Sequence, residues 1–537
     1  MTTLRRRAML RAGSLLGGLL PGAALAQARL SNEADAPIAL PPLAPFTAAG
    51  ATQPIGLAAR FDNLRTPYDF GARGVVGGTP TDDTAALNAA FRKLGNEGGG
   101  RLYIPGTFHA AGALSTAPNV EICGDFTPTS QQYTPAVSYF SVGGSKLILG
   151  SGITLAKGNI LRNCMVIASD LPSANPATAA AAASLVARMA RNGTGITLAG
   201  DNCLLDNLQV LGFDHGIRGE GDPAVDRQVL RNIHADNINS IWLAAGGDTC
   251  HIIGAHLWPY LTVTAPGPTA GYRSGYGIYT SSNGGSIQIA QVTSLGYQVD
   301  FMTESNSVTY VQCWADGGGA NASGDIVGQT GFGVAGTCGS IQLIHCTSVT
   351  NQYGVRHAPS NGAVLNIGPG CVFGAGGPGG AGALQSFGIL ADGHGPVVSI
   401  GAIYNGGDAA VNLGPDSGPS IFIGNTFDDA ASNFDHVWRV HPAVLPLVTK
   451  FGNRVVNSPR GLTEQTLGTL AMGGAAFHDQ MPNQISLGPR HGTTAQRPRT
   501  GTPWMAYGDD TLSVMVFARV DNAGVVTGWV NAVGKPA

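Results

Sequence analysis

A solenoid of short stacked strands, all-β in class, is what this sequence predicts, and three observations carry the prediction. Charged residues make up only 12% of the 537 residues, while glycine alone accounts for 79. Few charges among many Gly, Ser, Thr and Asn suit short strands and tight turns better than surface helices. The stretch GYGIYTSSNGGSIQIAQVTSLGYQV (275–299) returns as GFGVAGTCGSIQLIHCTSVTNQYGV (331–355), with Ser-Ile-Gln and a Tyr in nearly the same places. Finally, segments of the Gly-Ile or Gly-Val kind align on Ile196, Ile217, Ile241, Ile278, Val299, Val334, Val355, Ile389 and Val411, at intervals of 21, 24, 37, 21, 35, 21, 34 and 22. The short steps are single coils and the long ones a coil plus an insertion. Each coil must present the same apolar residue inward, while loops can grow outward. On this alignment both copies of the repeat occupy the same rung.

The chain opens on a targeting signal, residues 1–26. Arg6-Arg7-Ala8-Met9-Leu10 lies in a basic start, an apolar run reaches Leu20, and Ala24-Leu25-Ala26 forms a small-residue cleavage site. The arginine pair resembles a twin-arginine export signal, so the mature chain is expected to be periplasmic or secreted. No later apolar run is long enough for a membrane span. Residues 27–65, with Pro37, Pro41, Pro42, Pro45 and Pro54, read as a flexible leader.

Order is expected from residue 66. Thr81-Asp82-Asp83-Thr84 precedes Leu87, Ala90, Phe91 and Leu94, which share one helical face, so either aspartate can cap the helix. Gly98-Gly99-Gly100 stops it, and Arg101-Leu102-Tyr103-Ile104 alternates as a strand. The texts DFGARG, TPTDDTAALNAAF and GGGRLYIPGTF resemble the entry segment of the pectate-lyase-like superfamily, which includes rhamnogalacturonase and epimerase-type proteins. The resemblance implies a right-handed parallel β-helix, here residues 66–457, whose open end is covered by that helix. The physics agrees, because a first coil exposes unpaired backbone and core. The superfamily spans lyases, hydrolases, epimerases and viral tailspikes, so the fold alone does not name a reaction.

Insertions interrupt the coils. Asn175 and Pro176 open an Ala-rich stretch expected to be a short helix ending near Met189. Others carry His256-Leu257-Trp258-Pro259-Tyr260, closing at Tyr272-Arg273, then Trp314-Ala315-Asp316, then a glycine-rich run to Gly382. Residues 458–490 read as a linker. Residues 491–537 alternate polar and apolar with a hairpin signal, suggesting a small accessory β domain.

The formal net charge of −3 leaves no footprint for nucleic acid. Eight cysteines lack zinc spacing. The 25-residue separations Cys313–Cys338 and Cys346–Cys371 suggest thiols stacked in a core rather than disulfides.

In a strand the residue after an inward one faces out. One place beyond each aligned aliphatic residue stand Thr197, Arg218, Trp242, Tyr279, Asp300, Ala335, Arg356, Leu390 and Asn412. Coils are spaced by about 4.8 Å, roughly the length of a sugar ring. Arg218, Trp242, Tyr279 and Asp300, with Arg356 two rungs beyond Asp300, would form a saccharide track. His256, Trp258, Tyr260 and Arg273 could wall it, and Glu304, Trp314 and Asp316 lie near. Two chemistries fit. In a lyase, Arg218 or Arg356 neutralises a uronate carboxylate, and Tyr279, His256 or Arg273 serves as base or acid in β-elimination. In a glycoside hydrolase, two of Asp300, Glu304 and Asp316 would act as a pair. Each residue also has a plainer reading: Arg218 and Asp300 as surface ion-pair partners, Trp242 and Tyr279 as cover for the flank, His215 and His357 as turn residues.

Asp392-Gly393-His394-Gly395 resembles the Gly-His-Gly of polygalacturonase-type hydrolases. The accompanying Arg-Ile-Lys is missing, and Asp428-Asp429 lies downstream instead of upstream, so His394 reads as a turn residue. The pectate lyase Arg-x-Pro-x-x-Arg is missing too. No cofactor is required, and calcium is compatible without any aspartate cluster marking a site. The expectation is an exported enzyme degrading a uronate-containing, acidic polysaccharide, by elimination first and hydrolysis second. A non-catalytic, tailspike-like glycan-binding protein is the third reading. Monomer and homotrimer both stay open.

Overall fold

In a computed structural model, the structure describes residues 65–457 apart from 77, 129–142, 173, 220–224, 244–247, 263, 267–270, 282–284, 305–306, 318–328, 376–385 and 429–435; beyond these it describes 469–470, 476–477, 490–492, 506–509, 514–520 and 525–531. The targeting signal and almost all of the leader lie outside the described residues.

The chain is a right-handed parallel β-helix. A long sheet runs from Leu114–Ser115 to Thr469–Leu470, each strand pairing in parallel with the strand of the next coil. Two further ladders of parallel strands complete each coil. One coil shows how it closes. Arg273–Thr280 lies on the long sheet and Ser286–Ala290 on the second face. A bend at Gln291 (φ 56°) leads to Thr293–Leu295 on the third face, and Gly296 (φ 82°) returns the chain to the long sheet at Tyr297. Gly296 is required there, because a Cβ would sit 1.8 Å from Gly271 O.

The bend between the second and third faces puts polar residues at positive φ on two runs of coils separated by Gly254: Asn163, Asn207 and Asn232, then Gln291, Gln312 and His345. L-residues resist this conformation, Asn least. Side-chain bonds between coils offset the cost: Asn207 Nδ2 donates to Asn163 Oδ1 at 2.8 Å, and Asn232 Nδ2 to Asn207 Oδ1 at 2.6 Å.

The inward rung of the long sheet reads Ile196, Ile217, Ile241, Ile278, Phe301, Phe332, Val355, Ile389, Val411 and Trp438 in unbroken register. Val299 and Val334 are therefore not rung residues. Val299 lies two residues before Phe301, and Val334 two after Phe332. The repeated text caused the slip. Ser286-Ile287-Gln288 and Ser340-Ile341-Gln342 do share a register through Ser307-Val308-Thr309. The rung lies the same distance before both only if Phe332, not Val334, matches Ile278. The aromatic substitution is a packing choice: Phe301 and Phe332 stack at 4.9 Å and 8°, continuing a core file through Phe373, Tyr404, Phe427 and Trp438.

Helix α1 (Thr84–Asn96) buries Leu87, Ala90, Phe91 and Leu94 in the same core as Leu102 and Phe108 of the first coils. Asp82 accepts from Thr84 N at 3.1 Å, whereas Asp83 turns back to Arg73 N and Gly74 N. Helix α2 (Ala179–Met189) starts later than expected, and its cap is Thr178, which accepts from Ala181 N, rather than Asn175.

All eight cysteines are free and buried. Cys346 N–H donates to Cys371 Sγ at 3.4 Å, and Cys313 lies on the preceding coil beside Cys346. Cys338 does not join them. Its thiol donates to Thr303 O and Ala335 O, at the end of the long sheet.

Thr469–Leu470, inside the stretch expected as a linker, pairs with Trp438–Arg439, so the long sheet runs one rung past residue 457. The strands Arg490–Gly492, Ala506–Asp509, Val514–Val520 and Val526–Asn531 form a separate four-stranded sheet. No helix among the described residues is long and apolar enough to cross a membrane.

Candidate functional site

On the long sheet the residue before each rung also points inward. Where it is glycine, an added Cβ would strike the wall of the coil: Ser294 Oγ at 2.3 Å from Gly277, Ser348 Oγ at 2.2 Å from Gly331, Tyr404 at 2.9 Å from Gly388. Two consecutive inward residues break strict alternation, so the residue two places before the rung faces out together with the one after it. This bend explains the recurrent Gly-Ile text.

It also corrects Asp300, which fills the slot that glycine or serine takes in neighbouring coils. Asp300 is fully buried, accepts from Ser294 Oγ at 2.7 Å and faces Asn351 Nδ2 at 3.4 Å. Burial pushes its carboxyl far above the usual range. The outward residue of that coil is Met302, and in the next coil it is Gly333 rather than Ala335.

The outward file is thus Arg218, Trp242, Tyr279, Met302, Gly333, Arg356 on adjacent rungs. Trp242 and Tyr279 stack with centroids 3.8 Å apart and planes at 24°. Tyr276 meets the edge of Trp242 at 5.6 Å, and His215 does so at 5.1 Å. The Arg218 guanidinium carbon lies 5.9 Å from the indole centre. Glu304, just past the strand Tyr297–Thr303, accepts from the Tyr279 hydroxyl at 2.8 Å. Burial, then the hydrogen bond and charge of Glu304, hold the Tyr279 phenol well above its ordinary pKa. A phenol shifted that way keeps its proton more firmly and suits an acid better than a base. Tyr276 escaped the sequence reading, and His215 was assigned to a turn instead of this cluster, because strict alternation turns both inward; the glycine before the rung was the available signal. His215 is a strand residue packed on Trp242, not a turn residue, and His357 is a fully buried one.

Other candidates lie elsewhere. Arg273 is fully buried in a bidentate pair with Asp236, its Nε and Nη2 at 2.8 and 3.0 Å from the two carboxylate oxygens. Arg273 Nη2 also donates to Thr262 Oγ1, and Asp236 accepts from Leu261 N. The pair anchors the insertion that follows Trp258 and cannot reach solvent. His256 lies on the third face, stacked on Trp258 at 5.2 Å and sharing a hydrogen bond with the buried Tyr260, which also reaches His234. Trp314 is exposed, but it and Asp316 lie on the third face as well, with Asp316 accepting from Thr350 Oγ1 at 2.7 Å. Of the candidates, the structure gathers Arg218, Trp242, Tyr279 and Glu304, with Arg356 three rungs beyond Tyr279 and paired to Asp392 at 3.0 Å.

Burial, then His234, pushes the His256 imidazole down to about 4, and burial does the same to His357. An unfolded histidine takes a proton below about 6.5. Between those values the unfolded chain binds more protons, so stability falls as pH drops from about 6.5 toward 4. The denaturant midpoint is expected to be lower at pH 5 than at pH 7, and His256→Gln to shrink that difference. Equal midpoints in the parent protein would contradict it.

No group of three or more His, Cys, Asp or Glu side chains among the described residues is placed to hold a metal ion. No protein-family model matches the chain, and no curated protein sequence does. Among solved structures the chain is similar to the Dettilon tailspike protein, at 16% identity and TM-score 0.44, covering 74% of this chain and 67% of that one. It is also similar to the A-module of an Azotobacter vinelandii mannuronan C-5 epimerase, at 12% identity and TM-score 0.39, covering 73% and 95%. A third is the catalytic unit of a GH87 α-1,3-glucanase from Streptomyces thermodiastaticus, at 11% identity and TM-score 0.37, covering 73% and 68%. The likeness is one of fold; the site residues stand on their own geometry.

Proposed function

We propose that the protein cleaves an acidic polysaccharide on the outer surface of its long sheet, by β-elimination. The observation that carries this reading is the Tyr279–Glu304 hydrogen bond at the end of a file in which Arg218, Trp242 and Tyr279 stand in register. Sugar rings stack on flat aromatics, and a guanidinium pairs with a uronate carboxylate. In the proposed step the Arg218 guanidinium neutralises that carboxylate, which acidifies the C5 proton. The Glu304 carboxylate takes the proton, the freed pair forms the C4–C5 double bond, and the bond from C4 to the glycosidic oxygen breaks. Tyr279 gives its proton to the departing oxygen. Proton return from Glu304 to the tyrosinate along their hydrogen bond restores both groups.

Hydrolysis needs a second carboxylate across the scissile bond. Asp214, paired to His215 at 2.9 Å, stands on the Arg218 side of the aromatic cluster, but Glu304 alone is hydrogen-bonded to Tyr279, and the elimination reading rests on that coupled pair. The arginine pair at Arg6-Arg7 supports an activity outside the cytoplasm.

The test is an assay of the purified chain on a panel of uronate polymers, following ultraviolet absorbance of an unsaturated uronate alongside new reducing ends. Both should rise together. Reducing ends without the absorbance would make the protein a hydrolase. Tight binding with neither would make it a non-catalytic glycan-binding protein.

A further inference from the structure

Three rungs beyond Tyr279, the same outer surface carries a second cluster that the elimination step does not use. Tyr353 stacks on Phe387, with centroids 6.1 Å apart and planes 8° from parallel. The Arg439 guanidinium carbon lies 5.6 Å from the Phe387 ring centre. Arg356 stands out from the same strand as Tyr353, about half exposed. Asn412, in register with Arg439, is only 5% exposed. Its Oδ1 has no hydrogen-bond partner, and neither has Arg439 Nε. Buried polar atoms are rarely left so, because each unmade bond costs free energy that a ligand can return.

Between the two clusters the outward file offers no aromatic or charged side chain. The outward file there carries only Met302 and Gly333, and a Cβ on Gly333 would come within 2.8 Å of Met302 Sδ. From Tyr279 to Arg356 is three rungs, about 14 Å at ~4.8 Å per rung. A pyranose ring is roughly one rung long, so a chain laid from Arg218 to Arg356 covers six rungs with about six units.

We propose that Tyr353, Arg356 and Arg439 form a distal subsite for the same acidic polysaccharide, so that the protein holds the chain lengthwise and cuts within it rather than at its end. The proposal rests on the reading of Tyr279 and Glu304 above. Tyr353, backed by Phe387, is a platform for one ring. Arg439 meets a carboxylate, Arg356 does so with the side of its guanidinium not given to Asp392, to which Nε and Nη2 donate, and Asn412 and Arg439 Nε are the groups a sugar hydroxyl would complete.

The test measures binding to oligogalacturonate, oligomannuronate and hyaluronan ladders, dimer to decamer, on the full chain carrying Glu304→Gln. Affinity for at least one ladder should climb with length to about the hexamer. Tyr353→Ala, and separately Arg439→Gln, should each remove about tenfold of that climb. An unaltered length dependence in both variants would overturn the distal subsite, as would a ladder bound without any gain from length. In those cases loss of binding in Trp242→Ala would leave the proximal site intact. Binding to none of the ladders would overturn both readings.

Discussion

Glu304→Gln is expected to lower kcat by about 10²–10⁴-fold, the usual contribution of a positioned proton-transfer group, with little change in KM. The amide keeps an oxygen that can accept from the Tyr279 hydroxyl, so the aromatic stack and the strand end persist. What goes is the ability to take the C5 proton. Tyr279→Phe should act on the same step from the other side: the ring still stacks on Trp242 at the distance that holds it now, 3.8 Å between centroids, but the departing oxygen has no acid. Trp242→Ala should instead raise KM. Steady-state kinetics with circular dichroism as a fold control measures this split, and an unchanged kcat in Glu304→Gln removes Glu304 from the mechanism.

The largest effect on stability is expected at Arg273. Arg273→Met leaves Asp236 without its cation in a place fully screened from water. Removing one partner of a buried pair costs about 3–5 kcal/mol, because the other charge stays behind. Burial already drives the Asp236 carboxyl upward, and Arg273 and Leu261 N–H work against that. The loss should appear as earlier unfolding of the insertion anchored at Leu261 and Thr262, seen by hydrogen exchange there before the far coils open. Asp236→Leu combined with Arg273→Met should recover much of the loss, since no lone charge remains. A single variant as stable as the parent would show that the pair adds nothing.

The stacking period was legible because a solenoid repeats its demand for an inward aliphatic residue. Ile196 to Ile278 and Val355 to Val411 follow from that demand alone. Val299 and Val334 misled because two aromatic rungs, Phe301 and Phe332, break the aliphatic text at the point where it looks most repetitive. Arg218, Trp242 and Tyr279 were readable as neighbours, since parallel register transmits position from coil to coil. Asp300 was not, because the bend before each rung turns two successive residues inward, and a carboxylate there resembles an outward residue in sequence. Arg273 and His256 failed for another reason. Burial of polar groups depends on loops folding over a face, as Leu261 and Thr262 do, and no local pattern encodes it.

The pile of Cys313, Cys346 and Cys371 bears on the history of the molecule. Hydrogen bonding to Cys313, with burial added, pushes the Cys346 thiol up to about 12, and a thiol held un-ionised is slow to exchange or oxidise. An intact coil stack therefore survives in oxidising surroundings with its sulfurs untouched. Once opened there, the same sulfurs meet oxidant as flexible neighbours, so recovery after denaturation is expected to be lower without a reductant than with one.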